Sequence, residues 1–366
     1  MKTDFSDQIV FLNPEIYANH GINFHVYKDD ILRFRDQWFR NTPPLFQIQT
    51  SGSTGKPKTI EISKEQMEAS ATMTGKALGL TNSDNALVCL NTQYIAGKMM
   101  LARAFTLGMT VYILPPVANP FKNTTKSLLI SFTAMVPYQM KTTIEESPDK
   151  IEVLNQMKAI LLGGAPVGHQ LEEALQKVEA PVYSTYGMTE TVSHIALRRL
   201  NGSNASHAYT ILPGISIGLD ERSCLTIQGP VTKNTIITTN DIVKLISPEQ
   251  FIWTGRMDNI INSGGIKIQI EELENSISKI FNALKYNNRF IITGLPDNCF
   301  GTSVVLLIEG TFSEDQKNKL NIELIQKVSK YEMPKKIILI PEFPETVTGK
   351  IDRITTTGLV FAQTPA

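Results

Sequence analysis

Residues 45–66 read LFQIQTSGSTGKPKTIEISKEQ. Leu45-Phe46-Gln47-Ile48-Gln49 alternates like a short strand, and the glycines and hydroxyls of residues 50–58 end it. Thr59-Ile60-Glu61-Ile62 resumes a strand, and Ser63-Lys64-Glu65-Gln66 has the S-x-x-Q form of a capping box, which predicts a helix over 64–78. The loop therefore joins two strands. In it, Gly52 and Gly55 let backbone amides approach an anion, Thr50, Ser51, Ser53 and Thr54 offer hydroxyl donors, and Lys56 and Lys58 add positive charge. That chemistry suits a phosphate. The spacing G-x-x-G-K differs from a Walker A loop, and Pro57 stands where that loop has its Mg²⁺-binding hydroxyl. The same residues also suit a flexible Ser/Gly hairpin, and alone they do not choose between the two.

Outward from this stretch, strand patterns at 86–90, 110–114, 129–132, 159–162 and 182–184 alternate with helix-length segments, which predicts an α/β sheet. From 208 to 254 the runs shorten (224–227, 235–238, 242–246) and Pro, Gly and Asn break them, as in a small antiparallel β unit. Beyond Asp258 a third texture begins. Leu273, Ile277, Ile280 and Phe281 recur at helical spacing, 290–293, 304–308 and 336–340 read as strands, and Ser313 with Gln316 forms another capping box before a helix carrying Leu320, Leu324 and Val328. We place a domain boundary at Asp258.

Composition narrows the classes. The 366 residues carry 35 basic and 35 acidic side chains, 42% apolar and 19% charged residues, a globular balance without the broad positive field that holds nucleic acid. The start, MKTDFSDQIV, lacks the basic and apolar regions of a signal peptide, and the longest apolar run, 127–136, is shorter than the roughly 18–20 residues that cross a bilayer. Cys89, Cys224 and Cys299 are odd in number and far apart, which fits buried thiols in a reducing cytoplasm rather than disulfides or a metal site.

Other fragments carry chemistry. Tyr186-Gly187-Met188-Thr189-Glu190 follows a strand and offers an aromatic face, a hydroxyl and a carboxylate, enough to stack a base, donate to a phosphate and hold Mg²⁺. Glu345-Thr346-Val347-Thr348-Gly349-Lys350-Ile351-Asp352-Arg353 sets a lysine on a tight Thr-Gly turn. With LLGGAPV (161–167), TTND (238–241) and GRMDNIINSGGIKIQIEELE (255–274), these segments, in this order, resemble one family: the adenylate-forming acyl-CoA synthetases, with their luciferase and peptide-synthetase adenylation relatives. The resemblance runs from Leu45 nearly to the end of the chain. It implies an α/β fold with a large N-terminal domain (1–257, with a β-rich part at 208–254) and a small mobile α+β C-terminal domain (258–366) hinged at Asp258, the active site lying between them. Relatives usually carry more residues before the phosphate loop than the 49 present here, so a shortened large domain is expected.

The roles that follow from the resemblance are these. Thr50, Ser51, Gly52, Ser53, Thr54, Gly55 and Lys58 hold the ATP phosphates; Gly164, Ala165, Pro166 and Tyr186 flank the adenine; Gly187 and Met188 also bind ATP; Asp241 and Arg256 meet the ribose. Thr189 contacts the α-phosphate, Glu190 holds Mg²⁺, and Lys350 bridges the incoming carboxylate and the phosphate. Ser263, Gly264, Gly265 and Lys267 then meet coenzyme A after rotation about Asp258. Within the family, Thr189-Glu190-Thr191-Val192-Ser193 and Tyr94-Ile95-Ala96-Gly97 leading to Arg103 resemble the branch that activates o-succinylbenzoate for menaquinone biosynthesis. Two positions depart: Tyr94 replaces that branch's histidine, and Asn240 replaces a glycine before the ribose-binding aspartate. A diacid needs a cation or donor for the carboxylate that does not react. Arg103, Lys98 and Ser193 are the candidates, with Tyr94 and Gly163 shaping the ring slot; Lys98 and Arg103 also read as solvated charges on a helix over 98–107, and Ser193 as a local cap.

The remaining features read as structural: His194 and His207 as surface or hydrogen-bonded histidines, Met99, Met100 and Met135 as core, Trp253 as packing. The expectation is therefore a cytoplasmic ligase acting on ATP, an aromatic acid and coenzyme A, of undetermined oligomeric state. A ligase for another acid, or an enzyme loading a carrier protein, uses the same motifs.

Overall fold

The hairpin around the glycine loop is present: Leu45–Gln49 and Thr59–Ser63 pair antiparallel, Gln49 opposite Thr59, and the Ser63/Gln66 capping box starts a helix at Lys64. The computed structural model describes residues 8–12, 14–40, 45–49, 59–125, 127–345 and 351–363, so the loop 50–58 and the segment 346–350 lie outside the described residues.

In chain order the elements are β1 (Ile9–Phe11), α1 (Pro14–Asn19), α2 (Phe24–Trp38), β2 (Leu45–Gln49), β3 (Thr59–Ser63), α3 (Lys64–Leu78), β4 (Asn85–Val88), α4 (Ile95–Leu107), β5 (Thr110–Ile113), β6 (Phe132–Met135), α5 (Pro137–Glu146), α6 (Ile151–Asn155), β7 (Ala159–Leu162), α7 (His169–Ala174), β8 (Val182–Gly187), β9 (His194–Arg199) and β10 (Tyr209–Ile211). There follow β11 (Ser216–Leu219), β12 (Cys224–Gln228), β13 (Ile237–Ser247), β14 (Gln250–Arg256), β15 (Ile260–Ser263), β16 (Ile266–Gln269), α8 (Ile270–Ala283), β17 (Phe290–Asp297), β18 (Gly301–Glu309), α9 (Glu314–Lys327), β19 (Lys336–Ile340) and α10 (Arg353–Gln363). These fall into two compact units: Met1–Gly218 with Thr226–Thr238 and Leu245–Ile252, and Leu219–Leu225 with Thr239–Lys244 and Trp253–Ala366. The second unit thus begins before Asp258 and takes in two short segments that the sequence reading assigned to the first domain.

The first unit is built on a sheet in the order β1-β5-β4-β6-β7-β8-β9-β10. The strands from β1 to β8 pair parallel; β9 and β10 turn antiparallel. Parallel strands are covered on both faces, and so β7 reads Ala-Ile-Leu-Leu with every residue buried. That burial also explains the one displaced strand. The run 127–136 has no polar alternation to mark its ends; Leu129 is exposed, and the strand occupies Phe132–Met135 rather than 129–132. After β4 the chain passes to β5 on one side and then to β6 on the other, a reversal that opens a crevice at the carboxyl ends of the strands. Residues 91–94 follow β4, 163–166 follow β7, and 188–190 follow β8.

The second unit has a three-stranded sheet in which β17 and β18 are antiparallel and β18 and β19 parallel. Ile292, Val304, Leu306 and Ile308 face α8 and α9, while Ile291, Leu295, Val305 and Leu307 face Val360 of α10 and Phe343. The strand β13 joins two runs that the sequence suggested were separate, because Asn240 and Asp241 stay in the strand and do not turn it. Among the described residues no helix is long and apolar enough to cross a membrane.

Candidate active site

At the end of β8, Tyr186 is wedged against Phe251 at 5.1 Å edge-on and lies 5.8 Å from Tyr209, which itself stacks on Phe251. Gly187 follows at a break in the β8–β9 register, opposite His194. A Cβ there would lie 2.6 Å from the His194 Cα, so the bulge admits only glycine. Met188 caps a 3₁₀ turn, Thr189–Thr191, in which the Met188 N–H donates to the Thr191 hydroxyl at 3.0 Å. Then the chain does something costly: buried Val192 has φ 67° and ψ −53°, and the Ser193 N–H donates to the Thr191 carbonyl at 2.7 Å. This is the rare, strained form of the γ-turn, here on a β-branched residue. It delivers Ser193 and His194 side by side to the start of β9.

Both meet Arg103. Its Nη2 donates to Ser193 Oγ at 2.8 Å and to His194 Nδ1 at 3.2 Å, and its Nε donates to Thr74 Oγ1 at 3.4 Å. Arg103 is 2% exposed, so it is not a solvated helix charge. Among the described residues no carboxylate lies within ion-pair reach, and burial alone pulls its guanidinium down to about 9. A buried cation surrounded by neutral groups is unstable unless something compensates it. Half-buried Ser193 is the outer end of this array: its hydroxyl accepts from Arg103 and keeps its own proton to donate. Lys98 belongs elsewhere on α4. It is half-buried, burial lowers its ammonium, and Asp30 of α2 is the charge that opposes this. Tyr94, at the N-terminus of α4, is 49% exposed, while Gly97 fits under the Asn91–Thr92 backbone where a Cβ would clash. After β7, Gly163 donates to the Met135 carbonyl at 3.1 Å and leaves Cβ space to the Thr185 hydroxyl; Gly164 has φ 83°, and Gly164 and Pro166 are exposed.

The second unit gathers its own cluster. The Trp253 indole donates to Asp241 Oδ1 at 3.2 Å, and Arg256 Nη1 donates to the same oxygen at 3.4 Å. Trp253 therefore does more than pack. Arg256 also grips Asp258 through two 2.8 Å bonds and holds that carboxyl below its usual range. Asn240 accepts from Arg222 at 3.1 Å. Gly264 and Gly265, φ 59° and 83°, make the two-residue turn between β15 and β16, the hairpin geometry that needs left-handed backbone at both positions. Ser263 is buried beside it and Lys267 exposed. On the C-terminal side, Glu345 bridges Ile351 through backbone, and the Glu345 carboxylate pairs with Arg289, which also holds Glu309 at 2.5 Å. Arg353 pairs with Glu274 at 2.5 Å. Glu345 and Arg353 are thus tied to the unit's sheet and α8.

A profile of AMP-binding enzymes matches residues 13–222. The chain belongs to this family. Within the AMP-binding enzymes, a crystal structure from Dyadobacter fermentans, described as an acyl-CoA synthetase (AMP-forming)/AMP-acid ligase II-like protein, is 42% identical, covers 91% of this chain and 94% of its own, with a TM-score of 0.61. The 2-succinylbenzoate–CoA ligase of Lactococcus lactis is 25% identical over 88% of this chain and 76% of its own length. The fold is also that of the Bacillus subtilis o-succinylbenzoate coenzyme A synthetase in complex with ATP and magnesium ion, at TM-score 0.70 and 21% identity over 85% of this chain and 69% of the other.

For an AMP-binding enzyme, several expected residues have no geometry here: Thr50, Ser51, Gly52, Ser53, Thr54, Gly55, Lys56, Lys58 and Lys350 lie outside the described residues. The first unit brings Arg103 and Ser193 together, and separates Lys98 from them. Glu190 stands exposed on its 3₁₀ turn, and among the described residues no three His, Cys, Asp or Glu side chains gather as a metal site. One carboxylate suits Mg²⁺, which keeps several waters and takes its other oxygens from phosphates. Sequence reasoning missed Thr74, His194 and Trp253 as partners in these clusters. For Thr74 no local signal exists, since it sits 120 residues from the His194 it touches.

Proposed function

We propose that this AMP-forming acyl-CoA ligase takes an aromatic acid bearing a second carboxylate, o-succinylbenzoate, and converts it through acyl-AMP to the coenzyme A thioester. The observation that carries the reading is Arg103: a buried cation with neutral partners, presented outward through the Ser193 hydroxyl, matches an anion that arrives with the substrate. The Lactococcus lactis relative named for the same acid supports it.

In the first half-reaction the substrate carboxylate attacks the α-phosphate of ATP and pyrophosphate leaves. Two anions must be brought together, so fixed donors and cations dominate. Thr50 to Lys58 hold the outer phosphates, Gly164, Ala165, Pro166 and Tyr186 flank the adenine, and Asp241, oriented by Trp253 and Arg256, accepts from the ribose hydroxyls. Thr189 donates to the α-phosphate and Lys350 bridges it to the carboxylate. Glu190 would hold Mg²⁺, which when bound neutralises phosphate charge. In the second half-reaction the thiol of coenzyme A, deprotonated, attacks the acyl carbonyl; the carbon–sulfur bond forms, the carbon–oxygen bond to AMP breaks, and AMP leaves. The turn at Gly264-Gly265, with Ser263 and Lys267, receives the pantetheine arm.

The test is pyrophosphate release with ATP across a panel of aromatic acids, with and without coenzyme A. Release should be fastest with o-succinylbenzoate. Arg103→Ala should raise KM for it about 10- to 100-fold, the worth of a charge-assisted hydrogen bond, and leave monoacids unaffected. A preference for benzoate, or an unchanged KM in the variant, overturns the assignment.

A further inference from the structure

Buried His194 is used by none of the steps above, yet its hydrogen bonds determine its state completely. Arginine has no acceptor, so His194 Nδ1, 3.2 Å from Arg103 Nη2, must accept. Nε2 then carries the proton and donates to Thr74 Oγ1 at 3.0 Å, and the Thr74 hydroxyl, having accepted from His194 and Arg103, passes its own proton to the Ser70 carbonyl at 2.9 Å. Every donor in this chain has one acceptor. A second proton on His194 would set an N–H against an N–H of Arg103 and break it.

The guanidinium is consequently held at three points by neutral acceptors from α3, β9 and the residue before β9: Thr74 at Nε, with His194 and Ser193 sharing Nη2. Among the described residues Nη1 has only the Met100 thioether, at 3.8 Å. Remove His194 and Nη2 loses one of two anchors, freeing the fork to rotate about its Cδ–Nε bond. We propose that His194 and Thr74 are positioning residues that lock the plane of Arg103, so that specificity for a diacid depends on a neutral histidine of fixed tautomer that never touches substrate. The idea rests on the reading of Arg103 given above. Burial, and then the Arg103 charge, hold His194 well below the usual imidazole range, consistent with a permanently neutral ring. The strained turn at Val192 belongs to the same device, because it brings Ser193 and His194 to one guanidinium nitrogen from adjacent positions.

The experiment compares KM for the diacid with KM for the analogue lacking the non-reacting carboxylate, in wild type, Arg103→Ala, His194→Ala, His194→Asn, Thr74→Val and Thr74→Ser. Asparagine offers its carbonyl near the place of Nδ1, and serine keeps the hydroxyl. His194→Ala and Thr74→Val should raise the diacid KM about tenfold while KM for ATP and for the analogue stay near wild type, and His194→Asn and Thr74→Ser should recover most of the loss. If His194→Ala does not fold, the Thr74 pair makes the same comparison with an isosteric change. Should Arg103→Ala alter the diacid-to-analogue ratio while His194→Ala and Thr74→Val do not, the positioning role is wrong and the Arg103 reading stands. If Arg103→Ala itself leaves the ratio unchanged, both fall.

Discussion

A single imidazole ring gives the stability of this protein a pH dependence of definite sign. The ordinary value for His194 is 6.5, and the folded chain holds it far lower, chiefly by burial and then by Arg103; Thr74 and Ser193, the other groups facing this array, carry no titrating charge. Below pH 6.5 the unfolded chain takes up a proton that the native chain refuses. The contribution of His194 to stability is therefore complete above that pH and lost progressively as pH falls below it. In urea titrations at pH 7.5 and 5.5 the wild type should lose more stability on acidification than His194→Asn; equal acid sensitivity would show that the ring titrates freely. At this scale the sequence named Arg103 and Ser193 as candidates from their chemistry. It could not name their partners, because the pairing of positions 74, 103 and 194 is made by α3, α4 and β9 packing together and leaves no trace in local pattern.

Among the elements, the start of β9 packs tightly against the end of β8. Gly187 lies under the Ser193–His194 backbone, so Gly187→Ala must push β9 away from β8. We expect a loss of about 1–3 kcal/mol, as for other overpacked interiors, with a rise in diacid KM as Ser193 and His194 leave Arg103. Urea melts and initial rates on the same sample check both; a stable variant with native KM would mean the bulge relaxes without moving the site. Elements whose ends are marked by side-chain chemistry were legible: the Ser63/Gln66 and Ser313/Gln316 boxes start α3 and α9 where their hydroxyls predict. Elements set by pairing were not. The strand β6 slid within an apolar run, and β13 passed through Asn240-Asp241, a pair that reads as a turn until Arg222, Trp253 and Arg256 are seen to take up its side chains.

For the whole molecule, the division into two units was the least legible feature. The second unit borrows Leu219–Leu225 and Thr239–Lys244 from within the sequence span of the first, and a change in texture along the chain detects only contiguous boundaries. The sequence also suggested three sheltered thiols, whereas Cys299 is exposed and only Cys89 and Cys224 are buried, burial pushing the Cys89 thiol up to about 12. Titration with a thiol reagent should thus find one fast group in the native protein and all 3 after denaturation. Cys299 precedes Phe300, whose carbonyl accepts from Gly264 at 2.9 Å, at the turn proposed to receive the pantetheine arm. The native sequence hence supplies its own labelling handle: a fluorophore attached there needs no engineered cysteine, and under the proposed function its emission should change as coenzyme A arrives.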